Sequence, residues 1–237
     1  MFIQNDAPDT TLPLRLVGAR QAARILNWAG GLAGAWLILY PRPYTYACAA
    51  GVLVPLAGMG ALLRYRPIML LDTPHGSAFP SVATGLFWPA LGLSLRALFD
   101  IEPLELGPVF ALSLVVGSLV ALVLGFAIWP SLQSTSSYTG EAFGIGIALA
   151  YGFGASSMIN VAFDAAAPTP YRAVVLNKHI ASGKHKALYL HLTPWGPRYW
   201  TENVRVGRTC YHSVEIGDSV TVRMHPGRLN VPWLTVE

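Results

Sequence analysis

The chain has 237 residues, of which 53% are hydrophobic and 12% are charged, about half the charged fraction of an ordinary soluble domain. With a mean hydropathy of +0.46, this composition excludes a disordered chain and argues against a wholly soluble protein. The formal net charge is +4. The charges interrupt long apolar runs, a pattern typical of a multi-pass membrane protein with a polar C-terminal domain.

Residues 1–24 are predicted to form a polar or amphipathic N-terminal segment. The segment carries Asp6 and Asp9 ahead of its first arginine, and the first apolar run begins only near Ile25. Because a secretory signal combines an early basic region with an early apolar core, this segment does not match one.

Five apolar runs predict a helical transmembrane domain over 25–164. A bilayer core of about 30 Å requires about 20 apolar residues in a helix. The predicted spans are 25–40, 44–63, 77–98, 107–129 and 142–163. The first run is short, so a bundle of four spans is the alternative interpretation.

Arginines near the span ends give a weak preference for orientation. With the N-terminus inside, the inner segments hold five cations and the outer segments hold four. The inner five are Arg15, Arg20, Arg24, Arg64 and Arg66. Five spans then place the C-terminal domain outside the cytoplasm, whereas four spans place it inside.

Two stripes of small residues repeat every four positions in the last two predicted spans. They are Ser113, Gly117, Ala121 and Gly125, and then Gly140, Gly144, Ala148, Gly152 and Ser156. A spacing of four places each stripe on one helix face. Since lipid provides no hydrophobic drive for helices to associate, small residues that allow close approach serve that purpose. We predict helix packing here, either within one chain or between copies in a homo-oligomer.

The predicted spans contain few ionisable residues at mid-depth, which argues against a proton pump or a transporter of charged substrates. Asn160 and Asp164 lie at the end of the last span, where helix capping or interfacial solvation explains them. The sequence contains no G-x-S-x-G, H-E-x-x-H or phosphate-binding glycine loop. We therefore predict neither a catalytic site nor a cofactor.

A linker over 165–170 precedes a predicted small β domain over 171–237. Alternating apolar and polar residues favour strands at 171–178, 185–192, 199–206, 219–225 and 231–236. Five short strands in so short a segment predict an all-β barrel of the SH3-like or OB-like kind.

The segment 171–237 carries nine Lys or Arg residues and four Asp or Glu residues. Outward positions of its predicted strands form a candidate basic contact face, which comprises His185, His191, Arg205, Arg223 and His225. We expect a membrane-anchored domain that binds anionic lipid headgroups or a protein partner, in preference to nucleic acid. No third ligand completes a metal site around the histidines. A small transporter or channel component is the alternative function.

Several segments resemble a family of uncharacterised multi-pass inner-membrane proteins of Gram-negative bacteria, which carry a small C-terminal β domain of unknown function. The tail segments are Tyr171-Arg-Ala-Val-Val, Ser182-Gly-Lys-His185, Leu192-Thr-Pro-Trp-Gly-Pro197, Gly217-Asp-Ser-Val220, His225-Pro-Gly227 and Pro232-Trp233. The membrane segment runs from Ala78-Phe-Pro-Ser81 through Leu95-Arg-Ala-Leu98. The resemblance implies an inner-membrane location. It implies no activity, so it assigns no catalytic residue.

Overall fold

The computed structural model describes residues 11–72, 78–132, 139–181 and 187–237. The chain divides into two compact units. The helical unit consists of Met1–Phe99 and Ala111–Met158, and the β unit consists of Asp100–Phe110 and Ile159–Glu237.

The described part of the chain contains five long helices in succession. They are α1 (Thr11–Leu39), α2 (Tyr44–Arg64), α3 (Ala83–Asp100), α4 (Leu106–Leu132) and α5 (Thr139–Ala162). The first helix begins at Thr11, inside the segment 1–24 that we expected to precede the first span. Pro13 is compatible with this start because the first turn of a helix does not need its N–H group. The end of α1 is held by Arg96, which donates to the carbonyl oxygens of Leu37 and Ile38 at 2.6 Å each.

Within the described ranges, four helices are long and apolar enough to cross a membrane. Their apolar segments are Leu12–Leu39, Tyr44–Arg64, Leu106–Trp129 and Ala142–Ala162. The predicted span at 77–98 corresponds to α3, which does not meet the same measure. Glycine, serine and proline inside α3, together with Arg96 and Asp100 near its end, lower its hydropathy.

Close backbone contacts place α3 against both α1 and α5. A Cβ added to Gly30 of α1 would lie 2.5 Å from the Cα of Gly85 in α3. On the side facing α5, the Ser94 hydroxyl donates to the carbonyl oxygen of Ala150 at 2.7 Å. Much of α3 is buried, including Leu86 and Leu93. An interior helix needs small residues for close packing more than it needs lipophilic ones, which accounts for its lower hydropathy.

The β unit contains a six-stranded antiparallel sheet in the order β1-β6-β5-β2-β3-β4. The strands are β1 (Glu102–Pro103), β2 (Thr169–Ile180), β3 (Leu188–Leu192), β4 (Glu202–Val206), β5 (Ser219–His225) and β6 (Trp233–Val236). A short helix, α6 (Arg208–Ser213), precedes β5. Each of the five predicted strand segments overlaps one of β2 to β6, so a helical region is followed by a β domain, as predicted.

The long strand β2 is shared by the two halves of the sheet. Its first half, from Thr169 to Val174, pairs with β5, and its second half pairs with β3. The register shifts between Val175 and Asn177, and such an irregularity bends a strand. The buried core of the β unit includes Val175, Leu190 and Val222.

The strand β1 was not predicted. It lies in the segment that connects α3 to α4, and it pairs with β6 through Glu102 with Leu234 and Pro103 with Trp233. The β domain is therefore not confined to 171–237, because its sheet includes residues from the middle of the chain.

Candidate functional site

The structure distributes the predicted basic face over two parts of the sheet. His191 and Arg205 lie on the paired strands β3 and β4, whereas Arg223 and His225 lie on β5. His185 lies outside the described residues. His191 Nδ1 is 2.9 Å from Oδ1 of Asn203, its partner on the next strand.

Two of these cations have carboxylate partners. Arg223 Nη2 lies 2.7 Å from a carboxylate oxygen of Glu237, and Arg205 Nε lies 3.4 Å from a carboxylate oxygen of Glu102. In sequence, the residues that make up the β unit include nine Lys or Arg and eight Asp or Glu. The basic excess expected for 171–237 is thus largely balanced by acidic residues from 100–110 and by Asp164.

Arginine side chains bridge the two edge strands of the sheet. Arg205 of β4 donates through Nη2 to the carbonyl oxygen of Ile101 at 2.8 Å, beside its contact with Glu102. Arg198 donates to the carbonyl oxygen of Leu104 and pairs with Glu202 at 3.3 Å. Burial raises the pKa of Glu102, although the charge of Arg205 acts in the opposite direction. Side-chain contacts therefore link β4 to the β1 segment where no backbone ladder joins them.

Asn160, in the last turn of α5, binds the loop that connects β5 to β6. Its Nδ2 donates to the carbonyl oxygen of Val231 at 2.7 Å, and its Oδ1 accepts from the N–H of Leu229 at 2.9 Å. Its own carbonyl oxygen accepts from the N–H of Arg228 at 2.9 Å. Asn160 is almost fully buried, so these three hydrogen bonds satisfy polar groups that water does not reach.

Asp164 binds the same loop just beyond the end of α5. Its Oδ2 accepts from the N–H of Gly227 at 2.9 Å and from the indole Nε1 of Trp233 at 3.1 Å. Its Oδ1 accepts from the N–H of Ala166 at 3.1 Å. Burial alone would raise the pKa of Asp164, but these hydrogen bonds and the nearby His225 outweigh burial and hold the pKa below its ordinary value. The carboxylate is therefore stabilised in its ionised form.

His225 stacks on Trp233, with ring centroids 4.0 Å apart and planes inclined by 17°. Its Nε2 lies 3.1 Å from the hydroxyl oxygen of Thr235. Burial lowers the pKa of His225, and Arg223 adds to this effect, while Asp164 and Glu237 oppose it. Its neutral form is favoured, so at neutral pH His225 contributes little positive charge to the predicted face.

Three exposed arginines differ from these paired cations. Within the described ranges, Arg172, Arg208 and Arg228 have no carboxylate within ion-pairing distance. Their side chains are solvent-exposed. Arg228 is additionally fixed through its backbone to Asn160. The exposed positive charge of the β unit therefore lies partly at residues that the sequence did not single out.

The helical unit brings five of the predicted packing residues together. A Cβ added to Gly152 of α5 would lie 2.5 Å from the backbone nitrogen of Gly117 in α4. The hydroxyl oxygens of Ser113 and Ser156 lie 3.4 Å apart, and a Cβ on Gly117 would lie 3.3 Å from the carbonyl oxygen of Ala148. These contacts join α4 and α5 of the same chain.

The other members of the two stripes lie elsewhere. Gly125 faces open space, and a Cβ on Gly144 would meet Leu71 at 3.0 Å. Ala121 is half-buried, and Gly140 belongs to the first turn of α5. The crossing of α4 and α5 therefore uses the first two residues of the α4 stripe and the last three residues of the α5 stripe.

Among the described residues, no group of three His, Cys, Asp or Glu side chains is arranged to hold a metal ion. Cys48 and Cys210 are both free thiols. No protein-family profile, curated protein or solved structure matches the chain.

Proposed function

We propose that this chain is an integral protein of a bacterial inner membrane, with five spans, whose helices anchor a small SH3-like or OB-like barrel that binds anionic lipid headgroups. In this proposal α3 spans the membrane in addition to the four helices that are long and apolar enough on their own, and it lies within the bundle. Its 18 residues extend about 27 Å at 1.5 Å per residue, close to the thickness of a bilayer core. The family resemblance of the tail and membrane segments supports the location.

The position of Arg228 carries the headgroup proposal. Its N–H donates to the carbonyl oxygen of Asn160, in the last turn of a helix whose apolar segment ends at Ala162. If α5 spans the bilayer, this hydrogen bond fixes an exposed cation at the depth of the lipid phosphates. A Lys or Arg near an anionic surface contributes about 1 kcal/mol to binding.

Arginine contacts in the helical unit support one orientation. Arg15 near the start of α1 donates to the backbone carbonyl of Arg66, which follows α2. Cations of the two helices therefore gather at one end, which the positive-inside rule assigns to the cytoplasm. With α3, α4 and α5 each crossing once, the β1 segment and the C-terminal strands emerge on the periplasmic side.

Reporter fusions at Glu237 test this orientation. Alkaline phosphatase fused to Glu237 is expected to be active, and a fluorescent protein that matures only in the cytoplasm is expected to stay dark.

The experiment for headgroup binding uses the full-length protein in nanodiscs that contain phosphatidylglycerol and phosphatidylcholine. Native mass spectrometry measures how often each lipid remains bound. We expect preferential retention of phosphatidylglycerol, and about a five-fold lower retention in Arg228→Gln, which corresponds to about 1 kcal/mol. Arg208→Gln is the matched control, because Arg208 is also exposed but lies at the start of α6.

Equal retention of both lipids by the wild-type protein would contradict headgroup binding. Equal losses in the two variants would show that net charge, and not the position of Arg228, determines binding. Loss of the preference at high salt is expected, because exposed charges are screened. If a protein binds the β unit equally well in the wild type and in Arg228→Gln, this result would favour a protein partner over lipid headgroups.

A further inference from the structure

An exposed aromatic pair lies between β3 and β4. Tyr199 is 84% exposed and Trp200 is 56% exposed. Nearby in the same loop, Trp195 is buried and packs against Tyr171, with ring centroids 5.7 Å apart. The loop therefore has one aromatic side chain anchored in the core and two that face outward. We refer to Arg198, Tyr199 and Trp200 as the aromatic segment.

Arg198 connects this segment to the start of α4. Its guanidinium donates to the carbonyl oxygen of Leu104, and it lies over the ring of Trp200 at 5.3 Å from the centroid. Glu202 pairs with the same guanidinium at 3.3 Å. One side chain thus holds the Trp200 ring near Leu104, which is two residues before α4 begins at Leu106.

The surface of α4 beside Leu104 is apolar and exposed. Leu106 and Phe110 are each about 60% exposed in the first turns of the helix. Further along, Leu119 is exposed to a similar extent, and the segment Leu106–Trp129 is apolar enough to span a membrane. The Trp200 ring is therefore held close to the end of an apolar helix surface suited to contact with lipid.

We infer that the aromatic segment inserts into the headgroup region of the bilayer that surrounds the start of α4. This inference rests on the proposed membrane span, and it adds a second contact of the β unit with lipid besides Arg228. Tryptophan and tyrosine are favoured at this depth because their rings are amphipathic, with an apolar body and a polar tip. Arg198 is the positioning residue, since its contacts with Leu104 and Glu202 fix where the Trp200 ring lies.

Site-directed spin labelling of the full-length protein in phosphatidylcholine vesicles tests this inference. In a Cys48→Ala and Cys210→Ala background, labels are attached at Tyr199→Cys, Leu119→Cys and Ile216→Cys. Leu119 is the reference for the lipid interior. Ile216 is the aqueous reference because it is exposed. The next residue, Gly217, donates its N–H to the carbonyl oxygen of Val175. Val175 lies about 20 Å along β2 from Thr169, the first residue of that strand.

Collision rates with oxygen and with a water-soluble nickel chelate give the depth of each label. We expect the label at 199 to be intermediate between the other two. Trp200→Ser in the same background should shift it toward the aqueous value, and Arg198→Gln should produce a similar shift. Trp195→Phe retains the buried anchor of the loop and should leave the label in place.

Three other results would overturn the inference. If the labels at 199 and 216 agree while the label at 119 is in lipid, the span exists but the aromatic segment stays in water. If the label at 199 is shielded from both reagents, protein and not lipid covers it. If the label at 119 is also in water, α4 does not span the membrane, and the proposed function fails together with this inference.

Discussion

Arg205 of β4 lies 3.4 Å from Glu102 of β1 across the two edge strands of the sheet. The same guanidinium reaches the backbone carbonyl of Ile101. An exposed edge strand leaves backbone groups available for pairing with other chains. Here the side chains of one edge contact the other edge, so the rolled sheet is closed at this position by arginine contacts.

Replacing Arg205 should loosen this closure. In Arg205→Ala the carbonyl of Ile101 and the half-buried Glu102 lose their partner, and we expect a loss of about 1–3 kcal/mol in the stability of the β unit. Hydrogen exchange followed by mass spectrometry should show faster exchange at β1 and β6. Glu102→Gln is the companion variant, since it keeps the side-chain shape and retains the contact of Arg205 with Ile101. Unchanged exchange at β1 in Arg205→Ala would show that the bridge contributes nothing to closure.

Gly227 is expected to tolerate no side chain. Its φ is +76°, and an added Cβ would collide with the amide of Asn160 and the carbonyl oxygen of Val231. Gly227→Ala should therefore disrupt the loop that binds α5, and we expect a cost of about 2–4 kcal/mol from strain and collision together. The readout is the thermal midpoint of the detergent-solubilised protein.

Gly217→Ala separates the two causes. Gly217 also has a positive φ of +97°, but an added Cβ would meet nothing within 4 Å. This variant should incur only the backbone strain, about 1 kcal/mol. If both variants lose the same stability, the collision with Asn160 is unimportant.

Acid should weaken the anchoring of the loop through Asp164. The folded-state pKa of Asp164 lies below its unfolded value because its carboxylate accepts three hydrogen bonds. Its contribution is therefore fully present above about pH 4 and is lost as the pH falls through the folded-state pKa. Asp164→Asn should lower stability at pH 7 and should remove the fall in stability that the wild type shows below about pH 4. Thermal unfolding between pH 3 and pH 8 measures both effects.

His225 titrates in a separate window. Its folded-state pKa lies below the ordinary value, so stability that is present above about pH 6.5 is lost as the pH falls through the folded-state pKa. His225→Gln should remove that loss of stability while leaving in place the loss below about pH 4 that arises from Asp164.

For the prediction at Asp164, a stability profile of Asp164→Asn that matches the wild type at every pH would show that the carboxylate does not hold the loop.

The close approach of α4 and α5 predicts a large effect at Gly152. The backbone of Gly117 lies where a Cβ of Gly152→Ala would be placed, so the helices must separate, at a cost of about 1–3 kcal/mol. Gly146→Ala on the same helix is the control, because a Cβ there meets nothing within 4 Å. We expect a lower thermal midpoint for Gly152→Ala alone. Equal midpoints for the two variants would rule out this contact as a determinant of packing.

The sequence predicted those parts of the fold that depend on local periodicity. The alternation of apolar and polar residues over 219–225 corresponds to β5, which has the same bounds. The two prolines after Tyr40 correspond to the break between α1 and α2. Both patterns act within a few residues, so they are visible before any tertiary contact is known.

The missed features depend on contacts between distant parts of the chain. A two-residue strand containing Pro103 has no periodicity, and it forms only because β6 presents a free edge. Likewise, the expectation for Asn160 and Asp164 is capping or interfacial solvation, whereas most of their side-chain partners lie more than sixty residues later in the chain. The order of polar residues at a helix end does not reveal which loop will return to them. The cluster of Trp195, Tyr199 and Trp200 was the available signal for the aromatic segment.

The origin of β1 has a consequence for how the protein is made. Residues 102–103 leave the ribosome well before β6, and α4, α5 and most of the β unit are synthesised between them. The sheet therefore cannot be completed until α4, α5 and the other strands have been translated. A nascent chain that stops before Trp233 leaves β1 without its partner, so the pairing of β1 with β6 is a late step in the assembly of this edge of the sheet.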